Sequence, residues 1–355
     1  MKVTVKDFLH VRVGRPSLTA PSYQYLAPGS ELEVDGKLYN GDSVGNVNTW
    51  LKDAANNYYW SGGIQNINEI IARIALTEYS EDDFWWHKDF NLGELWKKGL
   101  SGERVKLAVL DSGIALPHPD LIVNANNLKD VSDSLSGVMD QMGHGTHVTG
   151  IIKASDNGFG VKGVAYNSNF YLGKITNDLR GDNVVYLVRG IEWAVDQAMD
   201  IISISNGVKV NDPALEAVIN KAIAKGILVV AAAGNKDSTT GGDLLYPARY
   251  TSVLSVAGVT KSKQPLVDTI NAANTNIFAP GEEIFSTAMN KAYCNLSGCS
   301  QAAPYVAGVA ALLLEAARHK NANYKALDLK AHLVDNADSQ PYGKLINPVN
   351  SFNNL

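Results

Sequence analysis

The amino-acid sequence predicts an α/β fold in which a doubly wound parallel sheet is preceded by a small all-β domain. From about residue 81 onward, apolar runs of strand length alternate with segments of helical periodicity. The strand-length runs are residues 105–110, 201–205, 227–233 and 252–259, and the helical segments are residues 183–199, 213–225 and 303–318. Because these strands are apolar on both faces, each face needs a layer of helices, as in a doubly wound parallel sheet.

The first 62 residues have a different pattern, in which apolar and polar side chains alternate. The alternation covers residues 8–13 and 31–34, and turn-forming pairs separate such runs at positions 28–29, 35–36 and 40–41. We therefore expect a small all-β domain over residues 1–62. Isoleucines then recur at helical spacing, at positions 64, 67, 70, 71 and 74. This spacing predicts a helical linker over residues 63–80, followed by the α/β domain over residues 81–355.

Composition excludes several classes of protein. The 355 residues are 45% hydrophobic and 19% charged, the balance of a soluble globular protein with a large core. A formal net charge of −5 and a pI near 5.8 provide no basic surface for a polyanion, so we expect no nucleic-acid partner. The longest apolar run, residues 306–314, is interrupted by Gly308 and is shorter than the roughly 20 residues that cross a bilayer. We therefore expect no membrane partner.

Two further features concern the cellular compartment. Residues 1–16 carry scattered charges and lack the uninterrupted apolar stretch of a secretory signal. The chain contains two cysteines, Cys294 and Cys299, so a disulfide framework does not stabilise the fold. Both observations predict a cytoplasmic protein with free thiols, although pairing of the two cysteines across their short loop is an alternative.

Three segments supply an acid, a base and a nucleophile. Asp111 follows the first apolar run, His144 opens a predicted helix, and Ser300 opens another. Acyl transfer by a serine requires an imidazole that takes the hydroxyl proton and a carboxylate that orients the imidazole. These three residue types are therefore candidates for nucleophilic catalysis.

Each candidate has a purely structural alternative. Asp111 could cap the end of its strand, and Ser300 could cap the helix that follows, with Pro304 tolerated in the first turn. His144 and His147 are three residues apart and could share a metal, but the glutamate of the H-E-x-x-H motif is missing. We therefore interpret His147 as a core histidine.

The chain order of the acid, base and nucleophile, together with the neighbouring motifs, resembles the subtilisin family. The matching motifs are V-K-L-A-V-L-D-S-G-I from residue 105, H-P-D-L from residue 118, G-I-E-W-A from residue 190 and A-A-A-G-N from residue 231. This resemblance covers about residues 81–355 and implies a serine endopeptidase that acts on protein or peptide substrates. It implies that Asp111 orients His144, and that His144 takes the proton of Ser300. It also implies that Asn235 stabilises the oxyanion.

The segment around Ser300 departs from the family pattern at two positions. Cys299 stands where the family usually has a threonine, and Gln301 stands where it usually has a methionine. Cys299 as the nucleophile is the minor alternative, because it would displace the reacting atom from the start of the helix by one residue.

The resemblance also implies where the pocket for the residue preceding the scissile bond lies. Its walls are expected to come from Ser205, Asn206, Gly207, Lys236 and Leu245. A leucine at the floor shortens the pocket, and a lysine at the rim disfavours a basic side chain. We therefore expect weak cleavage after large aromatic residues and better cleavage after small, polar or acidic ones.

Asp120 and Asn157 resemble ligands of the calcium site in this family. Residues 155–161 add amide and backbone oxygens, which a hard cation prefers, and a further ligand is expected from residues 81–83. The resemblance implies a structural Ca²⁺ ion. The alternative is a solvated Asp-Asn-Gly turn.

Residues 1–62 resemble the bacterial SH3-like barrel. The matching segments are D-F-L-H-V-R from residue 7, P-G from residue 28, W-L-K from residue 50 and Y-Y-W from residue 58. The resemblance implies a ligand for this domain, such as a partner protein, a cell-wall peptide or the larger domain itself. Two alternative functions follow: a catalytically silent adaptor that acts through the SH3-like domain, and a peptide ligase in which an amine replaces water.

Overall fold

A computed structural model describes residues 1–44, 47–67, 70, 84–235, 243–267 and 274–355. The chain divides into two units, Met1–Ser80 and Glu81–Leu355.

The first unit contains short antiparallel strands around a small apolar core. Its strands are β1 (Lys2–Thr4), β2 (Leu9–His10), β3 (Arg12–Val13), β4 (Tyr25–Leu26), β5 (Glu31–Glu33), β6 (Tyr39–Val44), β7 (Val47–Lys52) and β8 (Asn57–Trp60). Strands β3, β8, β7 and β6 form one sheet in that order, while β1 pairs with β5 and β2 pairs with β4. The prediction of an all-β domain is confirmed, and the likeness to an SH3-like barrel stays a prediction.

Most of the predicted helical linker, residues 63–80, lies outside the described residues. Ile64 is buried and forms a bridge with Val5, so it belongs to the core of the first unit. Ile67 and Ile70 pack against the same core. Ile71 and Ile74 are not among the described residues.

The second unit is built on a nine-stranded sheet in the order β10-β11-β9-β14-β15-β16-β17-β21-β20. Neighbouring strands from β10 to β21 are parallel, and β20 is antiparallel at the edge. The sheet strands are β9 (Lys106–Asp111), β10 (Leu128–Asp130), β11 (Asn169–Lys174), β14 (Ile201–Ile204), β15 (Leu228–Ala232), β16 (Leu254–Val259), β17 (Ile277–Pro280), β20 (Asp338–Gln340) and β21 (Gly343–Leu345). Two hairpins lie outside it, β12 (Thr176–Asn177) with β13 (Gly181–Asp182) and β18 (Ile284–Thr287) with β19 (Tyr293–Leu296).

The helices of this unit alternate with the strands, as expected for a doubly wound sheet. They are α1 (Trp85–Lys88), α2 (Gly93–Lys97), α3 (His144–Lys153), α4 (Val184–Asp196), α5 (Pro213–Ala224), α6 (Cys299–Lys320), α7 (Leu329–Asp335) and α8 (Pro348–Asn353). Every residue of β14, β15 and β16 is buried, which is why these strands are almost entirely apolar apart from Ser203 and Ser255. The predicted α/β class with a parallel sheet is confirmed.

Helix α6 passes through the core of the second unit. All of its residues from Gln301 to Ala317 are buried, and it packs against β14, β15, β16 and β17 and against α3. Among the described residues, it is the one helix long and apolar enough to cross a membrane, but 94% of its most apolar window is buried inside the protein. Helix α6 is therefore placed as the core helix of a globular unit.

Candidate active site

Three adjacent strands of the large sheet bring candidate residues to one edge. Asp111 is the last residue of β9, Ser205 directly follows β14, and Asn235 follows β15 by a short turn. Strands β9, β14 and β15 are neighbours and parallel, so their carboxyl ends lie side by side. This edge is where ligands bind in open α/β sheets.

Asp111 and His144 form a direct hydrogen bond. Nδ1 of His144 lies 2.7 Å from Oδ1 of Asp111. The carboxylate is 3% exposed, whereas the imidazole is 33% exposed and can meet a substrate. Oδ1 of Asp111 also accepts the backbone N–H of Ser112 at 2.7 Å, which holds the carboxylate in place. Because Nδ1 faces the carboxylate, the tautomer with a proton there leaves Nε2 as the basic atom.

The two histidines of α3 have opposite environments. The Asp111 carboxylate raises the pKa of His144 to about 9 through its charge and its hydrogen bond, against the opposing effect of burial. His147 is fully buried, and its Nε2 lies 2.9 Å from the carbonyl of Ile284 and 3.1 Å from that of Cys294. Burial lowers the pKa of His147 to about 4. His147 is therefore a neutral core residue, as predicted.

A glycine and a buried aspartate determine where α3 begins. A Cβ atom at Gly145 would lie 2.3 Å from the carbonyl oxygen of Gly113, so only glycine allows the helix to approach the Asp111 loop this closely. Asp140 is buried and accepts the backbone N–H groups of Gly143 and Thr146, both at 2.9 Å. Sequence reasoning missed Asp140, although an aspartate just before a helix is a known capping signal.

Ser300 lies in the first turn of α6 and forms two bonds with Ser205. The Ser300 hydroxyl donates to the Ser205 carbonyl at 3.1 Å, and the Ser205 hydroxyl donates to the Ser300 carbonyl at 2.8 Å. Pro304 has no N–H, so the Ser300 carbonyl lacks its usual partner four residues on, and Ser205 replaces that partner. The serine is thus fixed to the carboxyl end of β14 through Ser205, which lines the same cavity as His144.

The Asn235 amide lies against the start of α6. Its Oδ1 accepts the backbone N–H of Cys299 at 3.2 Å. Gly298 has φ of +150°, and a Cβ atom there would lie 3.2 Å from Nδ2 of Asn235. The Cys299 thiol is buried and donates to the carbonyl of Gly234 at 3.3 Å, so it faces away from the cleft. Cys294 and Cys299 are both free thiols.

A cavity of about 300 Å³ opens beside His144. It is lined by Asp111, Ser112, Met142, His144, Thr176, Asp182, Ser205, Asn206 and Gly207. Four of these, Ser112, Met142, Thr176 and Asp182, were not predicted from the sequence as site residues. Asp182 contributes a negative charge that favours protonated His144, and its Oδ1 accepts the Thr176 hydroxyl at 2.7 Å.

The structure brings together most of the residues predicted for the substrate pocket. Asn206 and Gly207 line the cavity with Ser205. Leu245 packs against Gly207, because a Cβ atom added to that glycine would lie 2.8 Å from the Cβ of Leu245. Lys236 lies outside the described residues.

Asp120 and Asn157 also lie together. Oδ1 of Asp120 accepts the Asn157 amide at 3.1 Å, while Oδ2 accepts the Val161 N–H at 3.0 Å and the Tyr293 hydroxyl at 3.2 Å. Burial raises the pKa of Asp120 to about 7. No basic side chain pairs with this carboxylate within the described ranges, and the groups that contact it are hydrogen-bond donors, while Oδ1 of Asn157 accepts the Phe159 N–H. The same ranges contain no group of three or more His, Cys, Asp or Glu side chains that could hold a metal ion.

Comparison with known proteins identifies the family. The model of the subtilase family matches residues 102–351. Subtilisin DY from Bacillus licheniformis is 38% identical over 252 residues, which cover 70% of this chain and 91% of that protein. The major intracellular serine protease of Bacillus subtilis (strain 168) is 39% identical over 229 residues, or 62% of this chain and 71% of the relative. The minor extracellular protease Epr of the same strain is 37% identical over 236 residues, or 66% of this chain and 36% of the relative. With the family model matched along nearly the whole second unit, the chain belongs to the subtilase family and is a serine protease.

Proposed function

We propose that this protein is an endopeptidase that hydrolyses peptide bonds through an acyl-enzyme on Ser300. The observation that carries the proposal is the 2.7 Å contact between His144 Nδ1 and the buried Asp111 carboxylate, in a cavity that is also lined by Ser205, the hydrogen-bond partner of Ser300. A buried carboxylate, an accessible imidazole and a serine at a helix start are the groups that acyl transfer needs.

The proposed reaction begins with neutral His144. The Ser300 hydroxyl turns from the Ser205 carbonyl toward Nε2 of His144, transfers its proton there and attacks the scissile carbonyl carbon. The resulting oxyanion accepts hydrogen bonds from Nδ2 of Asn235 and from the backbone N–H of Ser300 at the start of α6. His144 then returns the proton to the leaving amine, and a water molecule repeats the sequence to release the acid. Asp111 stabilises the imidazolium during both steps.

The substrate pocket follows from the same geometry. We propose that Ser205, Asn206, Gly207 and Leu245 form its walls, with Lys236 at the rim. The contact between Leu245 and Gly207 supports a shortened pocket. The preferred residue before the scissile bond is then small, polar or acidic.

We propose that Asp120 and Asn157 hold a structural calcium ion together with backbone oxygens of residues 155–161. A buried carboxylate without a basic partner among the described residues supports this assignment. Calcium would supply the positive charge that this site lacks and would tie the loop to the rest of the unit.

Two proposals concern the cell. A cytoplasmic location is supported by the two free thiols. We also propose that the small first unit binds a protein or a cell-wall peptide. Its exposed aromatic side chains Phe8, Tyr23 and Tyr25 support a binding surface.

The assignment of Ser300 predicts where a covalent inhibitor reacts. A fluorophosphonate should label Ser300 in the wild type, and the His144→Ala variant should react more slowly by about three orders of magnitude or more, because the base is lost. Labelling is read by mass spectrometry of the peptide that contains residue 300. Cys299→Ala is the matched control and should keep its reactivity, since that thiol faces the core. A label on Cys299 would overturn the assignment.

The Asp111–His144 pair predicts the acidic limb of the pH profile, which is the range over which activity rises with pH. Only neutral His144 accepts a proton, and its pKa is raised from 6.5 to about 9, so kcat/KM should rise with pH until it levels off above that value. Asp111→Asn should move the midpoint of this limb down toward pH 6.5 and should lower kcat by about three to four orders of magnitude. Asp133→Asn removes an exposed carboxylate paired with Arg189 and should leave the limb in place. A limb that Asp111→Asn does not move would contradict the proposed pair.

The pocket assignment predicts a change in specificity. The test uses a peptide library in which the residue before the scissile bond is varied over all amino acids. The wild-type enzyme should cleave weakly after Phe and Tyr. Leu245→Gly should deepen the pocket and raise the relative kcat/KM for Phe by about tenfold. Leu18→Gly, in the first unit, is the control and should not change the profile. A wild-type preference for Phe, Tyr, Lys or Arg would refute the proposed pocket.

The calcium site predicts a stability that depends on the ion. Calcium at 100-fold above its Kd would add about 2.7 kcal/mol, so chelation should lower Tm by several degrees and added Ca²⁺ should restore it. Asp120→Asn should abolish this response, whereas Asp133→Asn should keep it. An identical Tm with and without chelator in the wild type would dismiss the site.

A further inference from the structure

The second unit contains a fully buried lysine that the proposed reaction does not use. Lys174, the last residue of β11, has no exposed surface, which is rare for a lysine because its charge loses water. Its ammonium group donates to the Asp178 carboxylate at 2.6 Å, to the Met139 carbonyl at 2.6 Å and to the Ser136 hydroxyl at 2.9 Å. These three partners use all three N–H bonds of the ammonium group.

The partners of Lys174 lie on two different loops. Ser136 and Met139 belong to the segment between β10 and α3, while Asp178 lies in the turn between β12 and β13. The Ser136 hydroxyl also donates to the second Asp178 oxygen at 2.6 Å. Burial acts to raise the pKa of Asp178, but the hydrogen bonds from Lys174 and Ser136 outweigh it and hold that pKa below its usual range. The ion pair therefore joins the two loops.

One of these loops leads directly to His144. Met139 is followed by Asp140, whose two oxygens accept the N–H groups of Gly143 and Thr146 on either side of His144. Asp140 also accepts the hydroxyl of Ser112, the neighbour of Asp111. A shift of the Met139 carbonyl would thus move the cap that sets the position of the imidazole.

The other loop forms a wall of the cleft. Thr176 and Asp182 of the β12–β13 hairpin line the cavity beside His144 and bond to each other at 2.7 Å. Asp178 lies in the turn that joins the two strands of this hairpin. Lys174 therefore contacts both the loop that leads to His144 and the hairpin that forms a wall of the cleft. These contacts fix the positions of the two segments relative to each other.

We infer that Lys174 is a positioning residue that sets the geometry of His144 and of the substrate cleft through Met139 and Asp178. Lys174 is buried and Asp178 is partly exposed, and an ion pair of this kind is weak evidence of stabilisation. A role of this ion pair in aligning His144 with the substrate cleft has a stronger basis, since small displacements of reacting groups cause large losses in rate. The inference rests on the proposed role of His144.

The test compares Lys174→Met and Asp178→Asn with the wild type in the full-length chain. Lys174→Met should lower kcat and the rate of fluorophosphonate labelling of Ser300 by at least about tenfold and should raise KM. The midpoint of the acidic limb of the kcat/KM profile should also move down toward pH 6.5, because a displaced imidazole loses contact with Asp111. Asp178→Asn should act mainly on KM, since it loosens the hairpin.

Lys153→Met is the matched control. Lys153 is a partly buried lysine at the other end of α3 and donates to the Tyr166 carbonyl. This variant should lower Tm and keep kcat, KM and the labelling rate within about twofold of the wild type. Should Lys174→Met fail to fold, Asp178→Asn and Ser136→Ala carry the same comparison.

Two results would overturn the inference while leaving the proposed function intact. In the first, the wild type is labelled at Ser300, and the Lys174→Met and Asp178→Asn variants have the same kcat, KM and pH profile as the wild type. The other is a Lys153→Met variant that loses as much activity as Lys174→Met for the same loss of Tm. A wild type that is not labelled at Ser300 would instead contradict the proposed function.

Discussion

The buried passage of α6 through the second unit is the constraint on which the arrangement of the site depends. Because the helix is buried from Gln301 to Ala317 and packs across four strands, its axis and its first residue are fixed by the core. Ser300 and the backbone N–H groups around it therefore point at one edge of the sheet. That edge is also where β9, β14 and β15 end, so an apolar core places the serine, the carboxylate and the amide together.

Polar contacts also fix the starts of the two helices that contain Ser300 and His144. Pro304 leaves the Ser300 carbonyl without a helical partner, and the Ser205 hydroxyl replaces it, which joins α6 to the end of β14. Asp140 does the same for α3, where its carboxylate satisfies N–H groups at the helix start. A buried group that lost its partner would be strongly disfavoured, so each contact also specifies a position.

The sequence predicted the regular elements well and their ends less well. The apolar run at residues 227–233 corresponds to β15, Leu228–Ala232, because a doubly buried strand needs apolar residues on both faces. Helical periodicity begins at residue 303 of the sequence, whereas the helix itself begins at Cys299. Pro304 leaves the Ser300 carbonyl without its helical partner, and the hydroxyl of a serine almost a hundred residues earlier replaces that partner. Tertiary contacts of this kind leave no local pattern.

The same distinction separates what the sequence determined about the site from what the tertiary structure decided. The resemblance of local motifs and chain order to the subtilisin family singled out Asp111, His144 and Ser300 as candidates, and each of them lies at a strand end or in the first turn of a helix. Composition gave no sign that Lys174 is buried, since lysines are usually exposed. Its place between two loops depends on pairings across β9, β10 and β11, which bring distant segments side by side. Only the folded sheet creates that neighbourhood, because two of the three groups that accept hydrogen bonds from Lys174, those of Ser136 and Met139, lie 38 and 35 residues earlier in the chain.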